Sequence, residues 1–92
     1  MMNRFDGVEF DECYELMPDD GRKSFYGKAK VLINTVTGTE YLLSYSTVVA
    51  AKKGGKVYRM WDGWSVTTGR HIKAFCGMGK KQFDNETIRK AV

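Results

Sequence analysis

Basic and aromatic side chains alternate over residues 59–81, and this stretch holds the residue types best suited to binding. Lysine and arginine contact phosphate oxygens, while aromatic rings stack on bases or anchor a protein partner. We therefore predict a binding surface for nucleic acid or for another protein in this stretch. The residues assigned to it are Arg59, Trp61, Trp64, Thr68, Arg70, His71, Lys73, Lys80 and Lys81.

A simpler interpretation of the same stretch stays open. The indole rings of Trp61 and Trp64 would then belong to the hydrophobic core. Arg70 and Lys73 would form an ordinary solvated helix face. The Asp62-Gly63 pair favours a turn, which would bring at least one tryptophan near the surface.

Metal binding and catalysis are not predicted, because the residue types that they need are scarce. The chain has one histidine and two cysteines, whereas a structural zinc site needs about four ligands. His71 and Cys76 lie roughly 140° apart around a helix, so they would not share a face as ligands or as a base and nucleophile. We expect no enzymatic activity, no metal, no cofactor and two reduced thiols, Cys13 and Cys76.

A helix over Thr68–Cys76 is predicted to position the binding residues. Thr67 or Thr68 can cap its first turn, and Gly77 can end it in a left-handed conformation. The apolar stripe of this helix consists of Ile72, Phe75 and Cys76.

The basic residues of this helix fall on its other side. Arg70 and Lys73 project away from the apolar stripe, and His71 is expected at the rim of the stripe. A basic face that follows a first turn rich in threonine and glycine could contact phosphates through backbone N–H groups as well as side chains.

Period-two patterns predict two hairpins in the middle of the chain. Residues 28–35 and 39–45 alternate around a turn with Gly38, and residues 46–51 and 56–61 flank a turn with Gly54 and Gly55. Residues 64–66 could form a short extra strand or a loop.

The two ends of the chain give weaker patterns. Residues 8–17 fit a strand with an acidic outer face, although Phe10, Cys13, Tyr14 and Met17 also have helical spacing. A turn is expected at Pro18-Asp19-Asp20-Gly21, and a final short helix is predicted over Asn85–Ala91.

Length and composition restrict the class of protein. The chain has 92 residues with 42% hydrophobic and 28% charged residues, which is typical of one small globular domain. No apolar run reaches the roughly 18–20 residues that span a bilayer, and no signal peptide is visible, so we expect a protein without membrane contact. The prediction is a single α+β domain over residues 1–92, an antiparallel sheet of four or five strands with one or two C-terminal helices.

The net charge of +4 is divided unevenly along the chain. Residues 1–26 contain seven acidic and three basic residues, and residues 27–92 contain twelve basic and four acidic residues, so the segments carry −4 and +8. Such asymmetry is typical of a surface that faces nucleic acid, but it also fits an acidic segment packed beside a basic one.

Several segments resemble a known family. They are Tyr26-Gly27-Lys28-Ala29, Leu43-Ser44-Tyr45-Ser46-Thr47 with Val49-Ala50, and Gly63-Trp64-Ser65 followed by Thr67-Thr68-Gly69-Arg70-His71-Ile72 and Phe75. In these segments the chain is similar to a small family of uncharacterised proteins of bacteriophages and mobile elements, mainly from Gram-positive bacteria. The resemblance implies a cytoplasmic protein made in an infected or element-bearing bacterial cell and implies no particular activity.

Two functions of different classes fit these patterns. The first is a binding protein for nucleic acid or a nucleoprotein complex that uses the basic helix face. The second is an anti-CRISPR-like or other anti-defence factor that occludes a host defence protein. The positive net charge argues against an imitation of DNA. A homodimer is also open, because small sheets can cover an exposed edge by pairing.

Overall fold

The computed structural model describes residues 2–18 and 25–89. Its strands are β1 (Asn3–Phe5), β2 (Val8–Phe10), β3 (Glu12–Glu15), β4 (Ala29–Asn34), β5 (Thr39–Ser44), β6 (Thr47–Lys53) and β7 (Lys56–Arg59), and its helices are α1 (Val66–Cys76) and α2 (Lys80–Asp84). Strands β3 to β7 form an antiparallel sheet in chain order, and β1 pairs with β2 in a separate sheet. The predicted α+β class, antiparallel sheet and C-terminal helices are confirmed.

The two predicted hairpins are the centre of the sheet. Gly38 has φ 74° in the β4–β5 connection, and Gly54 and Gly55 have φ 59° and 80° between β6 and β7. Glycine adopts this left-handed region without a steric penalty, so the turns form where the glycines lie.

The main core lies between the sheet and the two helices. Alternate residues of β4 and β5, such as Val31 and Leu42, face Ile72 and Phe75 of α1 and Phe83 of α2. A bulge leaves Val49 without a pair between Val48 and Ala50, and Val49 and Ala50 both belong to this cluster. The bulge thus gives β6 two successive apolar residues on the helix side.

The opposite face of the sheet is covered by the β1–β2 hairpin. Leu32, Tyr41, Val48 and Ala51 form a second cluster with Val8. The Val48 N–H donates to the Asp6 carboxylate at 2.8 Å, which fixes the hairpin to β6. Both faces of the central strands are therefore buried, so the sheet has no solvated face at its centre.

Two predictions about the chain ends need correction. The strand over residues 8–17 is confirmed only as two pieces, β2 and β3, with a break at Asp11. The helix predicted over Asn85–Ala91 is wrong for the described residues, because α2 ends at Asp84 and Ile88 bridges to Arg59 of β7. The turn at residues 19–21 and the end of that helix lie outside the described residues.

Candidate binding surface

Helix α1 begins at Val66, before the predicted N-cap residues Thr67 and Thr68, because a different hydroxyl caps it. The Ser65 Oγ accepts a hydrogen bond from the Thr68 N–H at 3.1 Å, so Ser65 is the N-cap and neither Thr67 nor Thr68 has this role. Residues 64–66 therefore form no strand: Trp64 and Ser65 precede the helix, and Val66 is its first residue. Gly77 ends α1 with φ 80°, as predicted, and its N–H donates to the Lys73 carbonyl at 2.8 Å.

His71 and Thr68 lie inside the protein, so the expected position of His71 at the rim of the apolar stripe is wrong. The His71 ring is 1% exposed. Its Nδ1 lies 2.8 Å from the Ser44 Oγ, which in turn lies 3.0 Å from the Thr68 Oγ1. The Phe25 ring meets the imidazole edge to face at 4.5 Å between centroids. These contacts join α1 to the end of β5.

A serine hydroxyl beside a histidine ring resembles a nucleophile and its base, but the surroundings do not support that chemistry. Ser44 is 3% exposed, and no carboxylate of residues 2–18 or 25–89 hydrogen-bonds His71. Burial lowers the pKa of the His71 imidazole below its usual value, and the Lys28 ammonium lowers it further. The ring is therefore neutral at pH 7 and works as an internal hydrogen-bonding group.

The buried imidazole predicts a loss of stability in mild acid. Because the folded state disfavours the protonated ring, the unfolded chain binds more protons once the pH falls below about 6.5. The contribution of the neutral His71 ring to the free energy of unfolding is fully present above that pH. It declines as the pH falls towards the folded-state pKa of His71, by at most about 1.4 kcal/mol per pH unit. Urea unfolding between pH 7.5 and 5.5 measures this slope.

His71→Asn is the control for this prediction, since it keeps a polar atom near the Nδ1 position and cannot titrate. We expect the variant to be less stable at every pH but to lack the decline between pH 7.5 and 5.5. The titration of Asp11 does not interfere, because hydrogen bonds from the Thr35 side chain and backbone lower the pKa of this carboxyl below its usual value. Equal slopes for both proteins would contradict the assignment to His71.

The outward face of α1 carries the cations that were predicted to bind. Lys73 is exposed and Arg70 is half-buried, on the side of the helix opposite Ile72 and Phe75. Neither the Arg70 side chain nor the Lys73 side chain forms a hydrogen bond or an ion pair with the part of the chain that the structure describes, and the first turn of α1 has no acidic residue. The positive charge of this face is therefore not neutralised by a carboxylate of the described residues.

The two cations of α2 differ in their surroundings. Lys80 forms an ion pair with Asp84 at 2.7 Å, four residues further along the helix. Lys81 is exposed, and within the described residues it has no ion pair. Of this pair, Lys81 is the one that leaves its full charge at the surface.

Both tryptophans are half-buried and rest on glycines. A Cβ atom at Gly63 would lie 2.4 Å from Trp61 Cζ2, and one at Gly69 would lie 2.4 Å from Trp64 Cζ2. Trp64 also tilts against Phe83 at 5.8 Å between ring centroids. One side of each indole thus packs against the rest of the protein. The tryptophans therefore have less surface available to a partner than a fully exposed ring would have.

Arg59 is an internal clamp, and its guanidinium is not part of the basic surface. It is 8% exposed. Its Nε donates to the Trp61 carbonyl at 2.7 Å and its Nη1 to the Asp84 carbonyl at 3.2 Å. The guanidinium also lies over the Phe83 ring at 4.9 Å. Arg59 therefore ties β7 to α2.

The structure adds two exposed tyrosines to the candidate residues, and one of them lies beside α1. Tyr26 is 80% exposed and Tyr45 is 52% exposed. The Tyr45 ring lies 5.8 Å from that of His71, so it borders the N-terminal half of α1. Both lie outside the 59–81 stretch, so they were not among the predicted binding residues. The signal was present in the family resemblance, whose segments include Tyr26-Gly27-Lys28 and Ser44-Tyr45.

Metal ligands do not converge anywhere in the described ranges. Within residues 2–18 and 25–89, no group of three or more His, Cys, Asp or Glu side chains could hold a metal ion. Cys13 and Cys76 are free thiols, the first exposed and the second half-buried. Burial raises the pKa of the Cys76 thiol, although a backbone hydrogen bond and Lys52 oppose the rise.

The fold and this surface define a small α+β domain, a five-stranded meander with a basic helix face and two exposed tyrosines. The chain belongs to a family of unknown function, DUF8033, whose model matches residues 14–90. No curated protein and no solved structure matches the chain. None of the helices in the described ranges is long and apolar enough to cross a membrane.

Proposed function

We propose that this chain is a non-enzymatic binding protein of a bacteriophage or mobile element that acts in the cytoplasm of the host. It engages nucleic acid or a nucleoprotein complex through the outward face of α1. The observation that carries the proposal is the pair Arg70 and Lys73, which project from one helix face with no acidic partner among the described residues. Unpaired cations keep all their donors for phosphate oxygens.

The remaining residues of this surface support the same binding mode. Lys81 of α2 and Lys28 before β4 are exposed and add positive charge, Lys28 beside the Tyr45 ring that borders His71. The phage or mobile-element context rests on the resemblance of the segments around Trp64 and His71. No nucleophile with an accessible base occurs in the described residues, which favours binding over catalysis.

Salt titration of binding tests this proposal. The affinity for a labelled DNA duplex should fall with salt, with a log–log slope of about −0.9 per contacted phosphate. Arg70→Ala and Lys73→Ala should each weaken binding to all sequences about equally and reduce the slope by about 1. Fluorescence anisotropy at several salt concentrations gives both quantities.

Lys53→Ala is the matched control, because it also removes one exposed lysine. Lys53 follows Ala51 by two residues in β6, so it lies on the sheet face that the β1–β2 hairpin covers. We expect the salt dependence of DNA affinity to have the same log–log slope in this variant as in the unmodified chain. If neither DNA nor RNA is bound at low salt, the proposal fails.

A second function, inhibition of a host defence protein by occlusion, is favoured by one feature of the same face. Val66 is 78% exposed at the start of α1 and lies one turn before Arg70. An exposed aliphatic side chain fits a protein surface better than a phosphate backbone. A pull-down from host lysate after nuclease treatment separates the functions: one stoichiometric protein, lost with Val66→Asp, favours inhibition, whereas a recovery that depends on intact nucleic acid favours the first function.

A further inference from the structure

Two tight turns meet at one end of the central strands, and each carries a tyrosine. In the first turn, Tyr26 and Gly27 have φ 56° and 75°, and the Lys28 N–H closes the turn on the Phe25 carbonyl at 3.1 Å. In the second, Tyr45 has φ 57° in the two-residue connection from β5 to β6. The Tyr45 N–H donates to the Lys28 carbonyl at 2.7 Å, so the turns are directly joined.

Tyrosine is an unfavourable choice for both positions on conformational grounds. A positive φ is uncommon outside glycine, asparagine and aspartate, and bulky residues there cost of order 1–3 kcal/mol. The Tyr45 ring nevertheless packs only partly on His71 and stays 52% exposed, and Tyr26 is 80% exposed. Two large rings are thus presented to the outside where glycine would give a more stable turn. Such strain in an exposed segment points to a role in recognition.

Positive charge accompanies the two rings. The Lys28 ammonium lies 5.9 Å from the Tyr45 ring centroid. The same ring borders the buried His71 of α1. Aromatic faces beside lysines are the elements that bind unpaired nucleotides, because bases stack on the rings while ammonium groups follow the phosphates. A duplex has no free base faces for such rings, and a phosphate alone needs no aromatic contact.

From this juxtaposition we infer that Tyr26 and Tyr45 form a stacking platform for the unpaired bases of a single-stranded nucleic acid. The Lys28 ammonium would contact the phosphates of that strand. The inference rests on the proposed function and specifies its ligand. Aromatic stacking is tolerant of sequence, so little base preference is expected.

The test compares a labelled oligothymidine strand with a duplex of the same length. Tyr45→Gly and Tyr26→Gly delete the rings and relax the left-handed turns, so the variants should remain folded. We expect each to weaken single-strand binding about 5- to 100-fold, with less than about a twofold change for the duplex. Tyr45→Phe, which keeps a ring, should bind nearly as tightly as the unmodified chain.

Two further measurements distinguish stacking from a structural effect. Tyr14→Ala, a change at a tyrosine of β3 that is 48% exposed, should leave single-strand affinity unchanged. Lys28→Ala should reduce the salt slope by about 0.7, whereas the glycine variants should keep it.

Each of the other results has a defined meaning. Duplex binding equal to or tighter than single-strand binding, with no effect of either glycine variant, would overturn the platform and leave the proposed function intact. Absence of binding to both nucleic acids would overturn the proposed function together with the platform.

Discussion

Replacement of Arg59 by alanine is expected to lower the free energy of unfolding by about 3–5 kcal/mol. The guanidinium is buried and supplies hydrogen bonds to two carbonyls, those of Trp61 and Asp84. Its removal leaves these carbonyls without their donors and opens a cavity over the Phe83 ring. The loss should appear in urea unfolding as a shifted midpoint with an unchanged m-value.

Arg59→Lys separates the geometry of the guanidinium from its charge. A lysine keeps the positive charge but cannot reach both carbonyls with one planar group. We expect it to recover less than half of the stability that alanine loses. If the free energy of unfolding of Arg59→Ala lies within about 0.5 kcal/mol of that of the unmodified chain, the contacts of the guanidinium have no structural importance. Arg59 would then again be a candidate binding residue.

The central hairpins could be predicted from sequence because their information is local. Period-two alternation and the glycines of the β4–β5 and β6–β7 turns are both visible within about fifteen residues. The β1–β2 hairpin could have been predicted from the same signal. Asp6 and Gly7 have φ 49° and 83°, and an Asp-Gly pair between short alternating segments is a strong hairpin signal. It was missed because the strands on either side have three residues each.

The C-terminal helix was misplaced because its position depends on contacts between distant residues. Phe83 is fully buried, and it anchors α2 against Trp64. Ile88 and Arg89 instead run beside β7, where the Arg89 N–H donates to the Arg59 carbonyl at 2.7 Å. No local pattern shows that β7 has an edge position open at that point.

The chemistry of the candidate site was predictable by residue type but not by exposure. The outward projection of Arg70 and Lys73 follows from helical periodicity alone. The burial of His71 does not, because its partner Ser44 lies 27 residues earlier in the chain. The meeting of the Tyr26 and Tyr45 turns also depends on the tertiary fold, since it is made by the backbone hydrogen bond from the Tyr45 N–H to the Lys28 carbonyl.

Gly69→Ala in the middle of α1 is expected to destabilise the protein by about 2 kcal/mol, although the same change in an open helix position stabilises by about 1 kcal/mol. The new Cβ would lie 2.4 Å from Trp64 Cζ2 and 2.9 Å from Cε2. The indole cannot retreat freely, because Phe83 lies against it. Either the ring or the helix must shift, and overpacking of this kind costs about 1–3 kcal/mol.

A double-mutant cycle with Trp64→Leu attributes this cost to the indole. Trp64→Leu alone should be destabilising, since it removes part of the contact between the loop and α2. When Gly69→Ala is added to that variant, the alanine should be neutral or stabilising, because the ring that it would meet is gone. The interaction energy expected from the four unfolding curves is about 2–3 kcal/mol. An alanine with the same effect in both backgrounds would mean that Gly69 is required for a reason other than the close approach of Trp64.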